Sequence, residues 1–552
     1  MPIHKSYNDK PILWYGDRSI KKYRPAISNA LKSKFGIKTS YSQEEVTKSM
    51  QYAFEWYCSE FLGLMSKELS IRMYQWVFIL HEQSIEIRRE YEHVAVSDAI
   101  STVDFAMYRR VLKLILEQAC DLDLVSGETL DVNCRNRVQP IIEDLLYLGD
   151  FAYALSNLIS DQELQGDCRD LLWTKEEQYY YDFKHHYGFL NEELMTGHKN
   201  HMDRAIVREG TFERFTIAIK EGFGIEYNDV EQVILGLHEH TKDTGGKMVL
   251  HNELNFVKNL EVFSESTEEL TKVFYSGLLL SRENKMSMQD VIFRPHNLNR
   301  YFDRPILKWT LDGEELILLG DQKWEESVGQ LCSNVFGWKK IPEEWALVPE
   351  LKAFAIKEFK DNDKVLEDEV EGVLKKNNIP FDRTVTNLRK ENNQNFNIET
   401  KDCGELDFLF LIGNIIYIGE CKHLLGRYDS NNWRADYSNF VREKGYNQTL
   451  GKKVRYLSAR KDELKLHLSL QCEDVGILDL DIEVHGVFIL NTPTMYMYAS
   501  KFRIFTLYTF EDLAADKFTD VTYNVTRIDS DGNECLMEVK YPYFDLPVYL
   551  ES

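Results

Sequence analysis

Long apolar runs are missing from this chain. No stretch approaches the roughly 18 residues that a membrane span needs, and the opening MPIHKSYNDKPILWYGDRS has no apolar signal core. A soluble, cytoplasmic protein without a membrane partner is expected. The nine cysteines never fall at C-x-x-C spacing and are odd in number, which points to free thiols in a reducing compartment. Positive charge is the scarcer sign: 66 Lys and Arg stand against 90 Asp and Glu, a net charge of -24. That excludes a uniformly basic nucleic-acid binder, so any such contact has to rest on a local patch or a partner. The phosphate-cradling G-x-x-x-x-G-K-[ST] loop is absent, and GTFERF at 210–215 is only a turn into a helix. A nucleotide-driven motor is therefore excluded. Repeats and low-complexity tracts are also missing.

At 552 residues the chain has length for two to four domains. Residues 1–285 read as an all-helical region that sets partner, oligomeric state or substrate access. Ser42-Gln-Glu-Glu45 is a capping box, continued by the stripe Val46, Met50, Phe54, Tyr57, Phe61 and Met65. Further helices are expected at 68–92, 101–119, 140–160 with Pro140 at its first position, 174–187, 211–221, 228–239, and 267–281 capped by Ser266. His198, His201 and Asp203, and His238-Glu239-His240, have spacing compatible with a metal, but no distant ligands complete either set; they read as loop or helix-end residues. A turn-rich stretch near 286–305 marks a boundary. Residues 286–360 then read as a connecting module, with a hairpin about Asp312-Gly313 and helices at 322–336 and 343–360.

The most informative stretch is GELDFLFLIGNIIYIGECK, residues 404–422. Two β-branched and aromatic runs flank Gly413-Asn414, which predicts a tight β-hairpin. If Ile412 faces Ile415, facing residues have numbers totalling 827, and Asp407 lies opposite Glu420. Alternation adds Glu405 and Lys422 to that face. Opposed carboxylates destabilise a hairpin unless something offsets them, and a divalent cation is one candidate. A plain Glu405–Lys422 ion pair is the bland alternative. Leu409, Leu411, Ile416 and Ile418 on one face, with Phe408, Phe410, Ile415 and Tyr417 on the other, predict a pair buried on both sides.

Upstream, 365–381 carries Leu366, Val370, Val373 and Leu374 at helical spacing before Pro380, with Glu367, Glu369 and Glu371 bordering the stripe. A strand is expected at 383–388, and a polar loop at 389–403. Downstream, a helix opens at Tyr446 and runs through Lys452, Lys453 and Leu457. Ten Lys or Arg against three acids between 421 and 461 give a local charge of +7. A strand at 484–491, a helix at 509–516 and strands about Asp531-Gly532 follow. Asn524-Val525-Thr526 matches a glycosylation acceptor formally and is set aside without a secretory signal.

In this order of helix acid, strand, hairpin with Asp then Glu-x-Lys, and helix with Gln, residues 361–516 resemble the PD-(D/E)XK nuclease superfamily, the restriction-endonuclease-like fold. Leu406 stands where that pattern often has proline. The resemblance implies an α+β (α/β) chain: the helical region, then a mixed-sheet core flanked by helices, then a C-terminal β extension at 517–552. It implies Asp407 and Glu420 as metal ligands, joined by Glu367 and the Cys421 backbone carbonyl. Lys422 and Gln448 complete the catalytic set, and Mg²⁺ or Mn²⁺ is the cofactor. Glu371 is the runner-up for Glu367. Lys452, Lys453 and Arg455 are expected to hold the nucleic-acid backbone.

Cation-bound carboxylates can generate a nucleophile from water and relieve charge on a phosphate; the lysine orients that water. The implied activity is metal-dependent nuclease action on nucleic acid, DNA ahead of RNA, in a bacterial restriction or anti-phage setting. A non-catalytic nuclease-fold binding or scaffold protein is the alternative. A metal-free glycosidase using the paired carboxylates is a more distant one.

Overall fold

The computed structural model describes residues 5–7, 10–91, 102–127, 129–166, 169–183, 210–240, 249–338, 340–390, 394–399, 403–425, 430–520, 522–528 and 534–543. His198, His201 and Asp203 lie outside them. The class is mixed α+β, with helices dominating the N-terminal half. No described helix is long and apolar enough to cross a membrane.

The chain divides into two compact units: one division falls on the long helix Pro349–Lys376 between Phe359 and Lys360, and the described residues 160–166, 169, 182 and 183 group with the second unit. In the first unit the Ser42 capping box forms as expected: Glu45 N–H donates to Ser42 Oγ at 3.3 Å, and Ser42 N–H to Glu45 Oε2 at 3.1 Å. All six residues of the following stripe are buried.

Strands are interleaved with these helices, so the half is mostly rather than wholly helical. Of the helix expected at 174–187, residues 184–187 lie outside the described residues, and 174–183 form instead a turn and a strand, Tyr179–Phe183, paired with Arg169–Trp173. Thr174 closes the turn by accepting from Gln178 N–H at 3.2 Å, and three successive tyrosines favour an extended chain. Pro140 lies inside the helix Val132–Gln165, not at its start. Thr267, not Ser266, caps Glu268–Ser276, accepting from Leu270 N–H at 3.3 Å.

The hairpin Ile306–Leu311 and Glu314–Leu319 forms about Asp312-Gly313, both at positive φ (51° and 86°). Its strands pair with Asp123–Leu124, Val249–His251 and Leu279–Leu280. The stretch read as a connecting module, 286–359, groups with the first unit, its hairpin sharing that unit's sheet.

In the second unit, α1 (Pro349–Lys376, its part from Lys360) precedes β1 (Phe381–Val385), β2 (Leu406–Ile412) and β3 (Ile415–Lys422). Then come α2 (Ser430–Val441), α3 (Tyr446–Ser458), α4 (Lys461–Cys472), β4 (Glu483–Leu490), β5 (Arg503–Thr506) and α5 (Leu507–Ala514). The sheet order is β1-β2-β3-β4-β5, antiparallel across its first three strands and parallel across its last three.

The hairpin register is the one expected, from Ile412↔Ile415 to Phe408↔Gly419. One face carries Leu409, Leu411, Ile416 and Ile418 into a core with Leu450, Leu457 and Leu464 of α3 and α4. The other packs Phe408 and Phe410 against Leu366, Val370 and Leu374 of α1 and Phe510 of α5. The strand expected at 383–388 is broken in two. β1 stops at Val385, and Asn387–Arg389 pairs separately with Asn395–Asn397 inside the expected loop. The terminal strands Tyr523–Ile528 and Glu534–Val539 pair with one another, and Val539 and Tyr543 join the core of this unit. The Asp531-Gly532 turn lies outside the described residues.

Candidate active site

The chemistry gathers at the end of β2 and β3 away from their turn. Core packing on both faces fixes the register, and the register fixes which side chains meet. The Cys421 N–H donates to Asp407 Oδ2 at 2.8 Å, so the backbone of one strand holds the acid of the other. Glu420 is buried. The Lys422 ammonium lies 3.2 Å from Glu420 Oε2 and 3.6 Å from Asp407 Oδ2, and it donates to the Cys421 carbonyl at 2.9 Å. Burial alone would lower the Lys422 pKa, but the Glu420 and Asp407 carboxylates outweigh it and the net shift is upward. Lys422 therefore turns to these two acids, not to Glu405, whose side chain is exposed.

A second lysine completes the neutralisation. Lys453 of α3 is buried; its ammonium pairs with Glu420 Oε1 and donates to the Glu405 carbonyl at 2.5 Å. Lys453, expected as a contact to nucleic acid, is thus turned inward to the acid. Lys452 and Arg455, on the exposed side of the same helix, keep that reading open. Gln448 is also displaced from its expected place. Five residues from Lys453, it points about 140° away around the helix; it is exposed, and its side chain accepts from Lys444 N–H at 2.8 Å. Tyr446, two turns before Lys453, comes to the site instead, its ring centroid 5.6 Å from Lys422 Nζ.

Of the three helix acids, Glu367 is held by Arg383 and lies near enough to feel the Asp407 charge. Burial raises its pKa, the hydrogen bond from Arg383 opposes this, and the Asp407 charge adds to it. Arg383 of β1 holds Glu367 Oε2 at 2.9 Å, Glu371 at 2.7 Å and Asp368 at 2.5 Å. Glu371 is pulled down by its hydrogen bonds to Lys375 and Arg383, and Glu369 is exposed.

The sequence reading missed Asp363, one turn before Glu367. Burial, opposed by Lys422 and reinforced by Glu367 and Asp407, pushes its carboxyl up to about 6. A sequence signal existed: Asp363 occupies the apolar stripe of Leu366, Val370 and Val373 at helical spacing, where a carboxylate needs a reason. His423 ties α1 to the end of β3 at this point, with its Nδ1 3.0 Å from the Asn362 carbonyl.

A local distortion faces the first acid. The β1–β2 register leaves Thr384 opposite Asp407, and Thr384 has φ 55°. A β-branched residue in that region stores strain, which gathers at functional sites.

The groups reaching this edge, Asp363, Glu367, Asp407, Glu420 and the Cys421 carbonyl, all offer oxygen, a donor set that suits a hard cation such as Mg²⁺ or Mn²⁺. Among the described residues no three His, Cys, Asp or Glu side chains stand together as a ready metal cage; Asp407 and Glu420 share Lys422 instead. Compared with known proteins, the chain matches no family model, no curated sequence and no solved structure.

Proposed function

We propose that the second unit is a Mg²⁺- or Mn²⁺-dependent phosphodiester hydrolase of the PD-(D/E)XK nuclease type. It acts on nucleic acid, DNA ahead of RNA, in a restriction or phage-defence setting. The observation that carries this reading is the meeting of Asp407, Glu420 and Lys422 at one hairpin end, with Glu367 and Asp363 of α1 near enough to feel the Asp407 charge. The passage from antiparallel to parallel pairing across one five-stranded sheet between helical layers supports it further.

Asp407 and Glu420 would hold the cation, with Glu367 and the Cys421 carbonyl as further oxygens. The chemistry such a cation supplies is a water nucleophile at neutral pH and relief of phosphate charge. Lys422 orients the attacking water and opposes the negative charge growing on the phosphate. The Cys421 N–H keeps Asp407 aimed, and Lys453 keeps Glu420 from swinging away. Lys452 and Arg455 draw in the polyanion from the exposed side of α3. The paired state of Glu420 is the observation that favours the rival reading, a non-catalytic nuclease-fold scaffold.

Purified protein and Lys422→Ala incubated with supercoiled plasmid, linear DNA and RNA, under Mg²⁺, Mn²⁺ or chelator, decide between them. Cation-dependent cutting by the wild type alone is expected. Failure to cut any substrate, together with failure to bind Mn²⁺, would sink the hydrolase reading.

A further inference from the structure

The Lys422 ammonium contacts three oxygens: Cys421 O at 2.9 Å, Glu420 Oε2 at 3.2 Å and Asp407 Oδ2 at 3.6 Å. These belong to three of the four groups that the proposed hydrolase would offer its cation, Glu367 being the fourth. We propose that Lys422 and the divalent cation are competing occupants of one oxygen cluster, so that cation loading expels the Lys422 ammonium and delivers it to the substrate side. This rests on the hydrolase reading and adds a regulatory step to it.

The geometry supports exchange over joint occupancy. An ammonium and a divalent cation cannot share one small ring of oxygens without close like-charge contact. Glu420 is buried and cannot turn to a different partner in solvent, because Lys453 fixes its other oxygen. Asp407 is fixed by the Cys421 N–H. The acids are thus the static part, and Lys422 is the part with freedom to leave: it has a flexible four-carbon stem, its side chain keeps 22% of its surface exposed, and the Tyr446 ring lies 5.6 Å from its ammonium. Lys453 differs in this respect. Its side chain is 8% exposed and it touches neither Asp407 nor the Cys421 carbonyl, so it acts as a fixed counter-charge.

Competition makes a prediction opposite to simple loss of a helpful residue. Removing the ammonium should tighten cation binding even as it abolishes cutting. Mn²⁺ titration calorimetry on wild type, Lys422→Met, Lys422→Ala and Lys453→Met, with Asp407→Ala as the blank, reads this directly. Both Lys422 variants should bind Mn²⁺ about tenfold tighter than wild type, within the range of ordinary coupling between ligands, and Lys453→Met should change less.

A second measurement needs only the wild type: amine labelling of Lys422, read by mass spectrometry, should rise when Mn²⁺ is added. Wild type that binds Mn²⁺ while the Lys422 variants bind equally or more weakly overturns the competition and leaves the hydrolase reading standing. Unchanged Lys422 labelling at saturating Mn²⁺ does the same. No Mn²⁺ binding by any of the proteins overturns both.

Discussion

Asp407 and Cys421 are joined across the central hairpin, the Cys421 N–H donating to Asp407 Oδ2 at 2.8 Å. A backbone donor on β3 therefore sets the aim of an acid on β2. Whatever disturbs the packing that fixes this register disturbs the site as well.

Phe410 is the side chain on which that packing can be tested. It is fully buried, stacked on Tyr417 with ring centroids 5.1 Å apart and edge-on to Phe510 at 5.6 Å. Phe410→Ala should lower stability by about 3–5 kcal/mol, read as a fall in the urea midpoint of the second unit's transition. A loss below about 1 kcal/mol would mean that this face of the hairpin is not the packed core described.

Asp363 gives a pH signature. Its folded pKa of about 6 lies above the ordinary 3.8. The folded state therefore holds this proton more tightly than the unfolded state does. The stability so contributed is full below about pH 4 and is lost as pH rises through about 6. Asp363→Asn should leave stability little changed at pH 4 and raise it at pH 7. Melting temperatures across that range check the sign, and an equal effect at both pH values would contradict it.

In the first unit, Gly277 lies against Trp345, which is fully buried and donates its indole N–H to Phe274 O at 2.9 Å. A Cβ at Gly277 would come within 2.2 Å of Trp345 Nε1. Gly277→Ala should therefore cost about 1–3 kcal/mol through overpacking. Denaturant unfolding would show it; a neutral result would show that the indole can retreat.

Lys452 and Arg455 are exposed on α3, whereas Lys453 is buried against Glu420. Lys452→Gln and Arg455→Gln should each weaken nucleic-acid binding uniformly across sequences and reduce the salt slope by about 1. Lys453→Gln should leave the slope alone. Fluorescence anisotropy over a salt series separates the three, and an equal fall in slope for Lys453→Gln would put its ammonium on the phosphates after all.

The hairpin was the most legible part of the sequence because its information is local. Gly413-Asn414 set the loop, the loop set the register, and alternation assigned Leu409 and Phe410 to the opposite faces they occupy. The Ser42 capping box was legible for the same reason. Tertiary partners decided the rest. Thr174 has the chemistry of a cap but closes a β-turn, because the tyrosines after it pair with a strand. The short strand Val249–His251 finds its place only through the distant strand Glu314–Leu319. Within the site, Lys453 and Gln448 lie on one helix and differ only in azimuth; which of them meets Glu420 depended on how α3 sits over the sheet. Asp363 was hidden among neighbouring acids, and only its place on the apolar stripe distinguished it.

Asp407 is the residue on which the proposed hydrolysis of a phosphodiester most depends. Asp407→Asn keeps the size of the side chain and an oxygen for the Cys421 N–H while removing the charge. The decisive measurement is the rate of supercoiled-plasmid cleavage in Mn²⁺ by wild type and Asp407→Asn at equal concentration, with a chelator control. Cation-dependent cutting by the wild type and a loss of about a hundredfold or more in the variant are expected. Equal cutting by both proteins, or wild-type cutting that survives the chelator, would contradict the proposal.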